Sequence, residues 1–105
     1  MPQYMMSYLG GNPPASPEEG KQHFQKYKAW LSSLGDAVVS PANPLKGTCI
    51  VAPDGSVKQG GITSMSGFTI IEAESIESAL SMAKSCPFLE IGGSLEVSEL
   101  IEMSM

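Results

Sequence analysis

Positive charge is scarce in this sequence. Its 105 residues include six lysines and arginines against eleven aspartates and glutamates, so the formal net charge is −5. The only concentration of basic residues is formed by Lys21, Lys26 and Lys28. A protein that binds nucleic acid needs a basic stripe that neutralises phosphates. We therefore expect no nucleic-acid partner.

Long apolar segments are also missing. A membrane-spanning helix needs roughly 20 consecutive apolar residues, and no run in the sequence approaches that length. The segment Met1–Gly10 carries Gln3 and Ser7 and leads into a turn and not into a cleavage site, unlike a secretory leader. We therefore expect a cytoplasmic protein without a membrane partner.

Cysteine is rare, and neither Cys49 nor Cys86 has the paired spacing of a metal site. A chain without a signal peptide keeps its thiols reduced, so two free cysteines are favoured over a disulfide. Cys86 precedes Pro87 at the predicted end of a helix, where the negative end of the helix dipole disfavours a thiolate. We expect no metal, no cofactor and no cysteine nucleophile.

The sequence does contain enough apolar material for one core. Hydrophobic residues make up 42% of the chain and charged residues 16%. The length is close to the commonest domain size, which predicts a single domain over residues 1–105. A chain this short buries only about two thirds of its unfolded surface, so self-association would help to cover the rest.

The spacing of apolar residues predicts the secondary structure. Alternation is typical of strands, and recurrence every three or four residues is typical of helices. Ser16 and Ser75 are predicted helix N-caps, and Gly35 and Cys86-Pro87 are predicted ends. The expected order is a strand at 3–9, a helix, an irregular second strand that runs into a hairpin returning at 57–59, a loop, a central strand at 67–73, a helix, and a last strand through Leu95 and Val97.

This order of elements is the split βαβ arrangement of the ferredoxin-like α+β fold, in which both helices cover one face of an antiparallel sheet. The other face is predicted to carry apolar side chains, namely Met5 or Tyr4, Phe68, Ile70, Leu95 and Val97. An apolar face of several hundred Å² is rarely left in water. We therefore predict a homodimer in which two sheets pack face to face as a dimeric α+β barrel, with the sheet–helix clefts as candidate pockets.

The C-terminal part of the chain carries a long ordered pattern. It runs through Gly67-Phe68-Thr69-Ile70-Ile71-Glu72-Ala73, the segment from Ser75 to Ala83, Cys86-Pro87 and Gly92-Gly93-Ser94-Leu95-Glu96-Val97. This pattern resembles the YCII-related (YciI-like) family, especially the branch allied to the DGPF-motif proteins. Tyr4–Leu9, the helix His23–Leu34 and Gly35–Val39 resemble the same family more loosely.

The resemblance implies a dimeric α+β barrel and, by analogy with some members, a histidine and aspartate pair in a cleft. Related folds include muconolactone isomerase-like proteins and dehydrochlorinases, so the analogy points to small polar or aromatic acids as ligands. Where the DGPF branch has its acidic turn, this chain has Val57-Lys58-Gln59-Gly60-Gly61-Ile62. No function tied to that turn is carried over.

His23 is the only histidine and the first candidate for chemistry. On a helical wheel it falls within the apolar arc, so it is expected to lean toward the sheet at the rim of the cleft. There it could act as a general acid or base, given a partner that fixes its tautomer. Asp36 is the candidate partner, although the helix separates the two, so a turn or cap role is favoured for Asp36 and pairing would have to occur across a dimer. A packed or capping histidine is the alternative.

Tyr8 and Trp30 are the candidate ligand-binding residues. Tyr8 ends its strand next to the Gly10-Gly11 loop, and Trp30 lies on the apolar stripe of the first helix. Large aromatic side chains at such positions usually pack in the core, which is the alternative for both.

Two functions remain open on this reasoning. The first is a small-molecule binding or accessory module. The second is a small cofactor-free enzyme, a lyase, isomerase or hydrolase, that uses His23 with support from Asp36 or Tyr8.

Overall fold

The computed structural model describes residues 1–103. Over that range the elements are β1 (Gln3–Gly10), α1 (Pro17–Leu34), β2 (Val38–Pro44), β3 (Cys49–Val51), β4 (Val57–Gln59), β5 (Met65–Glu72), α2 (Ile76–Ala83) and β6 (Gly93–Glu99). Short 3-10 helices occupy Gly35–Ala37 and Pro87–Ile91, and neither was predicted from the sequence. No helix in the described range is both long enough and apolar enough to span a bilayer.

The main sheet has the strand order β2-β5-β1-β6, and all of its neighbouring strands are antiparallel. With α1 and α2 between the strands in the chain, this is the ferredoxin-like α+β fold predicted from the sequence. The prediction that residues 67–73 form an inner strand is also confirmed, because β5 lies between β2 and β1. The strand begins earlier than expected, at Met65.

Both helices begin where the sequence indicates. The Ser16 side chain accepts a hydrogen bond from the Glu19 amide, and the Ser75 side chain accepts one from the Ser78 amide, each at 3.2 Å. These bonds satisfy amides that have no partner inside the helix.

The core lies between the helices and one face of the sheet. Tyr4, Met6 and Tyr8 of β1 alternate onto that face and are buried. They form one cluster with Trp30 of α1 and with small residues of α2. The Trp30 Nε1 donates to the Met82 carbonyl at 3.0 Å, which ties the two helices together.

The composition of the open face differs from the sequence prediction. Leu95 lies opposite Tyr8, and Val97 lies opposite Met6. Directly opposed residues of an antiparallel pair share a face, so Leu95 and Val97 face the helices and pack against the core. Their assignment to the open face was wrong, because it depended on a register that the local sequence does not encode. Tyr4 likewise belongs to the core face.

The open face therefore has an apolar centre and a polar side. Met5 is paired with Ile70, and Phe68 is paired with Ser7, in the two central strands. The edge strand β6 adds Glu96 and Ser98 opposite Ser7 and Met5.

The hairpin formed by β3 and β4 lies apart from the main sheet. It is a separate two-stranded sheet, and Val51 and Val57 are 69% and 63% exposed on it. The radius of gyration is 15.3 Å, whereas a compact chain of this length has one of about 13 Å. The hairpin return at 57–59 was predicted correctly, but its separation from the body was not.

Candidate functional site

A cleft of about 250 Å³ opens between α1 and the β2–β5 edge of the sheet. Its walls are largely aromatic and apolar, with a few polar side chains among them. The lining residues are Tyr8, His23, Phe24, Tyr27, Ala42, Asn43, Pro44, Ser66, Gly67, Phe68 and Phe88.

Three hydroxyl groups meet beside this cleft. The Tyr8 hydroxyl lies 2.5 Å from Thr69 Oγ1 and 2.9 Å from the Tyr27 hydroxyl. Thr69 Oγ1 donates to the Pro41 carbonyl at 2.6 Å, and the Tyr27 hydroxyl is 3.3 Å from the same carbonyl. We call Tyr8, Tyr27 and Thr69 the hydroxyl cluster. Its members come from β1, α1 and β5, so only the tertiary fold assembles it.

An irregularity in β2 supplies the carbonyl for this cluster. The pairing of β2 with β5 shifts between Ser40 and Asn43, which leaves Pro41 outside the regular ladder. A proline carries no backbone N–H, but its carbonyl still accepts hydrogen bonds. The Asn43 side chain closes the gap, since its Nδ2 donates to the Phe68 carbonyl at 3.1 Å and to Ser40 Oγ at 2.9 Å.

Phe88 forms one wall of the cleft. Its ring packs edge-on against Tyr8, with 5.2 Å between the ring centroids. The ring can occupy this position because Gly11 and Gly93 leave the space open. A Cβ atom on either glycine would overlap it, and the overlap is worse at Gly93.

Burial controls the ionisation of two groups near the cleft. Burial raises the pKa of Tyr8 far above its ordinary value, so this residue stays a neutral hydroxyl. Burial also raises the pKa of the Cys86 thiol to about 11. Cys86 is therefore protonated at neutral pH, in line with the expectation that it is not a nucleophile.

His23 and Tyr8, two of the predicted site residues, line the same cleft. His23 is half-buried in the second turn of α1. Within residues 1–103 its ring has no hydrogen-bond partner, so no protein group there fixes its tautomer and its nitrogens are open to a ligand.

The other two predicted site residues lie elsewhere. Asp36 is exposed in the 3-10 turn that follows α1 and does not line the cleft. Trp30 is 5% exposed and packs in the core. Tyr27 stands between Trp30 and the cleft, with its ring centroid 5.8 Å from that of Trp30.

Sequence reasoning missed Tyr27 as a site residue. Tyr27 lies on the apolar stripe of α1 with Phe24 and Trp30, where helical spacing alone indicates a core residue. Tyr27 is half-buried. Its ring packs in the protein, and its hydroxyl contacts those of Tyr8 and Thr69.

Clustered metal ligands are absent from the described residues, where no three histidine, cysteine or acidic side chains come together. Cys49 is exposed, Cys86 is buried, and the two are not joined. What the site offers is hydroxyls, one imidazole and aromatic surface. Fold and cleft together define a ferredoxin-like α+β protein with a cleft of small-molecule size.

Comparison with known proteins supports the fold assignment. The solved structure of 5-chloro-2-hydroxyhydroquinone dehydrochlorinase (TftG) from Burkholderia phenoliruptrix AC1100, in complex with 2,5-dihydroxybenzoquinone, matches with a TM-score of 0.60. The sequence identity is 19%, and the match covers 96% of this chain and 95% of that chain. No family model and no curated protein matches the chain. The likeness therefore establishes the fold.

Proposed function

We propose that the protein binds a small, single-ring organic molecule in the cleft between α1 and the β2–β5 edge. The observation that carries this proposal is an aromatic-walled cleft that also presents the hydroxyls of Tyr8 and Tyr27 and the imidazole of His23. Ligand sites are typically apolar clefts with a few fixed polar groups, which is this combination.

The size of the cleft limits the ligand. Pockets for drug-sized molecules enclose roughly 300–1,000 Å³, and this cleft encloses about 250 Å³. Phe88 and Phe24 supply flat walls on which an aromatic or quinoid ring can stack. The solved complex of the structural neighbour holds 2,5-dihydroxybenzoquinone, which has one ring bearing oxygens, and this makes oxygenated single rings the first ligands to test.

A second candidate function is acid–base catalysis by His23. Its position on the cleft wall, with ring nitrogens free of protein partners in the described range, favours this alternative. His23 would take a proton from a bound hydroxyl or carbon acid and return it elsewhere, as in an isomerase or lyase. Tyr8 would support such a step indirectly, because its neutral hydroxyl lies 2.9 Å from the Tyr27 hydroxyl and helps to position it. Asp36 would have to act from a partner subunit.

We also propose that residues 1–105 act as one domain and that two copies form a homodimer through the open faces of their sheets. The apolar pair of Met5 and Ile70, together with Phe68, supports this arrangement. A cytoplasmic location is part of the same proposal and is consistent with unpaired Cys49 and Cys86.

Binding can be tested through the single tryptophan. Trp30 is close to Tyr27, so a quinoid ligand in the cleft is expected to quench its fluorescence. Titration with 2,5-dihydroxybenzoquinone should saturate. Phe24→Ala removes a 58% exposed wall residue and should weaken binding, whereas Val57→Ala on the hairpin should not. Fluorescence quenching that does not saturate, and that is equal in Phe24→Ala and Val57→Ala, would contradict the proposal.

Catalysis can be tested separately with His23→Ala. For a panel of oxygenated aromatic acids, we expect turnover to be lost in this variant and retained in Gln22→Ala, which alters an exposed neighbour on the same helix. If the wild-type protein binds the panel without turning any member over, the binding function stands and the enzyme is excluded for those compounds.

A further inference from the structure

The protons of the hydroxyl cluster can be assigned from its distances. Thr69 donates its proton to the Pro41 carbonyl at 2.6 Å. In the 2.5 Å contact between Tyr8 and Thr69, Tyr8 must then be the donor, because the Thr69 proton is already used. The raised pKa of Tyr8, caused by burial, agrees with a retained proton.

Tyr27 holds the one proton of the cluster that can change its acceptor without breaking the two bonds already assigned. Its contacts within the cluster measure 2.9 Å to Tyr8, 3.2 Å to Thr69 and 3.3 Å to the Pro41 carbonyl, all longer than the two bonds already assigned. Tyr27 lines the cleft, so its hydroxyl can exchange the ordinary 2.9 Å bond to Tyr8 for a bond to a ligand oxygen. The cluster therefore holds Tyr27 in place as a hydrogen-bond donor.

The lining of the cleft differs in charge from the acidic chain as a whole. The net charge is −5, yet no acidic residue lines the cleft in the described part of the chain. The helix α1, which forms one wall, carries Glu18 and Glu19 in its first turn and three of the six basic residues, Lys21, Lys26 and Lys28, further along.

Lys28 is the basic residue best placed to act on a ligand. Its Nζ lies 5.5 Å from the centroid of the Phe24 ring, and Phe24 lines the cleft. Lys26 instead pairs with Glu90 at 3.6 Å. Within residues 1–103, no carboxylate forms an ion pair with Lys28, so its charge is not neutralised by a close partner.

From these observations we infer that the cleft selects an anion, namely a single aromatic or quinoid ring that carries a carboxylate or phenolate oxygen. This inference rests on the proposed binding function. The Tyr27 hydroxyl donates to the charged oxygen, and such charge-assisted bonds are about twice as strong as neutral ones. Lys28 supplies a favourable potential at the Phe24 wall without needing to touch the ligand. Both are specificity-determining residues.

The test compares two ligands of the same shape and different charge. Benzoate and benzamide are titrated at low ionic strength and followed by the NMR shifts of the His23 and Tyr27 rings. We expect benzoate to bind roughly tenfold more tightly, as a hydrogen bond to a charged group predicts. Added salt should narrow the difference, because it screens the contribution of Lys28.

Three variants separate the two contributions. Tyr27→Phe keeps the ring that packs between Tyr8 and Trp30, and it should weaken benzoate binding by about tenfold while changing benzamide binding little. Lys28→Met should weaken benzoate binding by roughly two- to fivefold, the range for an exposed charge. Lys84→Met removes the same charge from the C-cap of α2, which does not line the cleft, and should have no effect.

Each result decides a different statement. Equal affinity for the two ligands, or equal behaviour of Lys28→Met and Lys84→Met, overturns anion selection while the binding itself supports the proposed function. If neither benzoate nor benzamide binds, anion selection is also overturned. Titration with neutral hydroquinone then shows whether the cleft binds a single ring at all, as the proposed function requires. Melting temperatures of the variants confirm that each is folded.

Discussion

Phe88 fills the space that a side chain at Gly93 would need. A Cβ atom built at Gly93 overlaps the Phe88 ring, and one built at Gly11 comes within 2.9 Å of it. Both glycines therefore let the aromatic wall stand against Tyr8. The width of the cleft depends on two residues that contribute no side chain.

The variant Gly93→Ala is expected to lower the free energy of unfolding by about 1–3 kcal/mol, because the methyl group must displace a packed ring. Urea denaturation measures the change. Gly20→Ala is the matched control: its Cβ meets Pro14 at 3.4 Å, an ordinary contact, and alanine favours the helix by up to about 1 kcal/mol. Equal stability of wild-type protein and Gly93→Ala would contradict the packing described for Phe88.

Alkaline pH is expected to destabilise the protein. The Cys86 pKa is about 11 in the folded state, against 9.0 for the free thiol. As pH rises from 9 toward 11, the unfolded chain loses this proton and the folded chain keeps it, so unfolding becomes easier. Tyr8 adds the same effect above pH 10, because burial raises its pKa as well.

Urea unfolding at pH 8, 9, 10 and 11 measures this dependence. In Cys86→Ala, which has no thiol to titrate, the free energy of unfolding should fall less steeply between pH 9 and 11. Parallel curves for the two proteins would show that the thiol ionises equally in both states. Cys49 is exposed and present in both proteins, so its ionisation does not contribute to the difference between the two curves.

The candidate site residues divide according to what a local pattern can encode. Tyr8 was selected because it ends its strand, and His23 because it is the only histidine and falls within the apolar arc of its helix; both line the cleft. Tyr27 was missed because helical spacing cannot distinguish a core residue from one whose tip meets hydroxyls of two distant strands. Asp36 was paired with His23 by analogy, and the length of α1 keeps them apart.

Among the secondary-structure elements, α2 depends most on its cap. It has only eight residues, and helices this short gain little from propensity alone. The Ser75 side chain accepts from the Ser78 amide at the helix start, and Trp30 binds the Met82 carbonyl near its end. Both ends of the helix are therefore tied down.

Replacing the cap, as in Ser75→Ala, should lower the free energy of unfolding by about 1 kcal/mol, because the amide loses its acceptor. Ser81→Ala removes an exposed hydroxyl from the same helix and should leave stability unchanged or slightly raised. Thermal unfolding followed by circular dichroism measures both. A larger loss of stability for Ser81→Ala than for Ser75→Ala would contradict the stabilising role of Ser75 as the N-cap.

The strand β2 shows how an element can be irregular for a reason. Its prolines led us to predict a break in the middle, and the pairing with β5 does shift there. The sequence did not indicate that the break would aim the Pro41 carbonyl at Thr69 and Tyr27. That consequence depends on β5 and α1, which lie far along the chain.

At the level of the whole molecule, the open sheet face and the separate hairpin make the chain flat. Its principal extents are 44 × 43 × 18 Å. Helices cover one side of the sheet, and Met5, Phe68 and Ile70 lie on the other. A second copy packed on this face would bury these side chains and thicken the particle.

Light scattering is expected to give twice the chain mass of 11.1 kDa at micromolar concentration. Ile70→Lys places a charge at the centre of the open face and should yield the single-chain mass with the fold retained. Leu80→Lys, at a 41% exposed position on α2, should remain dimeric. A single-chain mass for the wild-type protein would contradict the proposed homodimer.

Local sequence by itself determined the elements, because strand and helix periodicity, Ser16, Ser75 and the turn residues act within a few positions of one another. It also determined the fold class, since the order of elements admits few topologies. The tertiary structure alone decided the register that turns Leu95 and Val97 inward, and it alone joined Tyr8, Tyr27 and Thr69. Those features arise from contacts between residues distant in the chain, and such contacts form only when the sheet and helices pack.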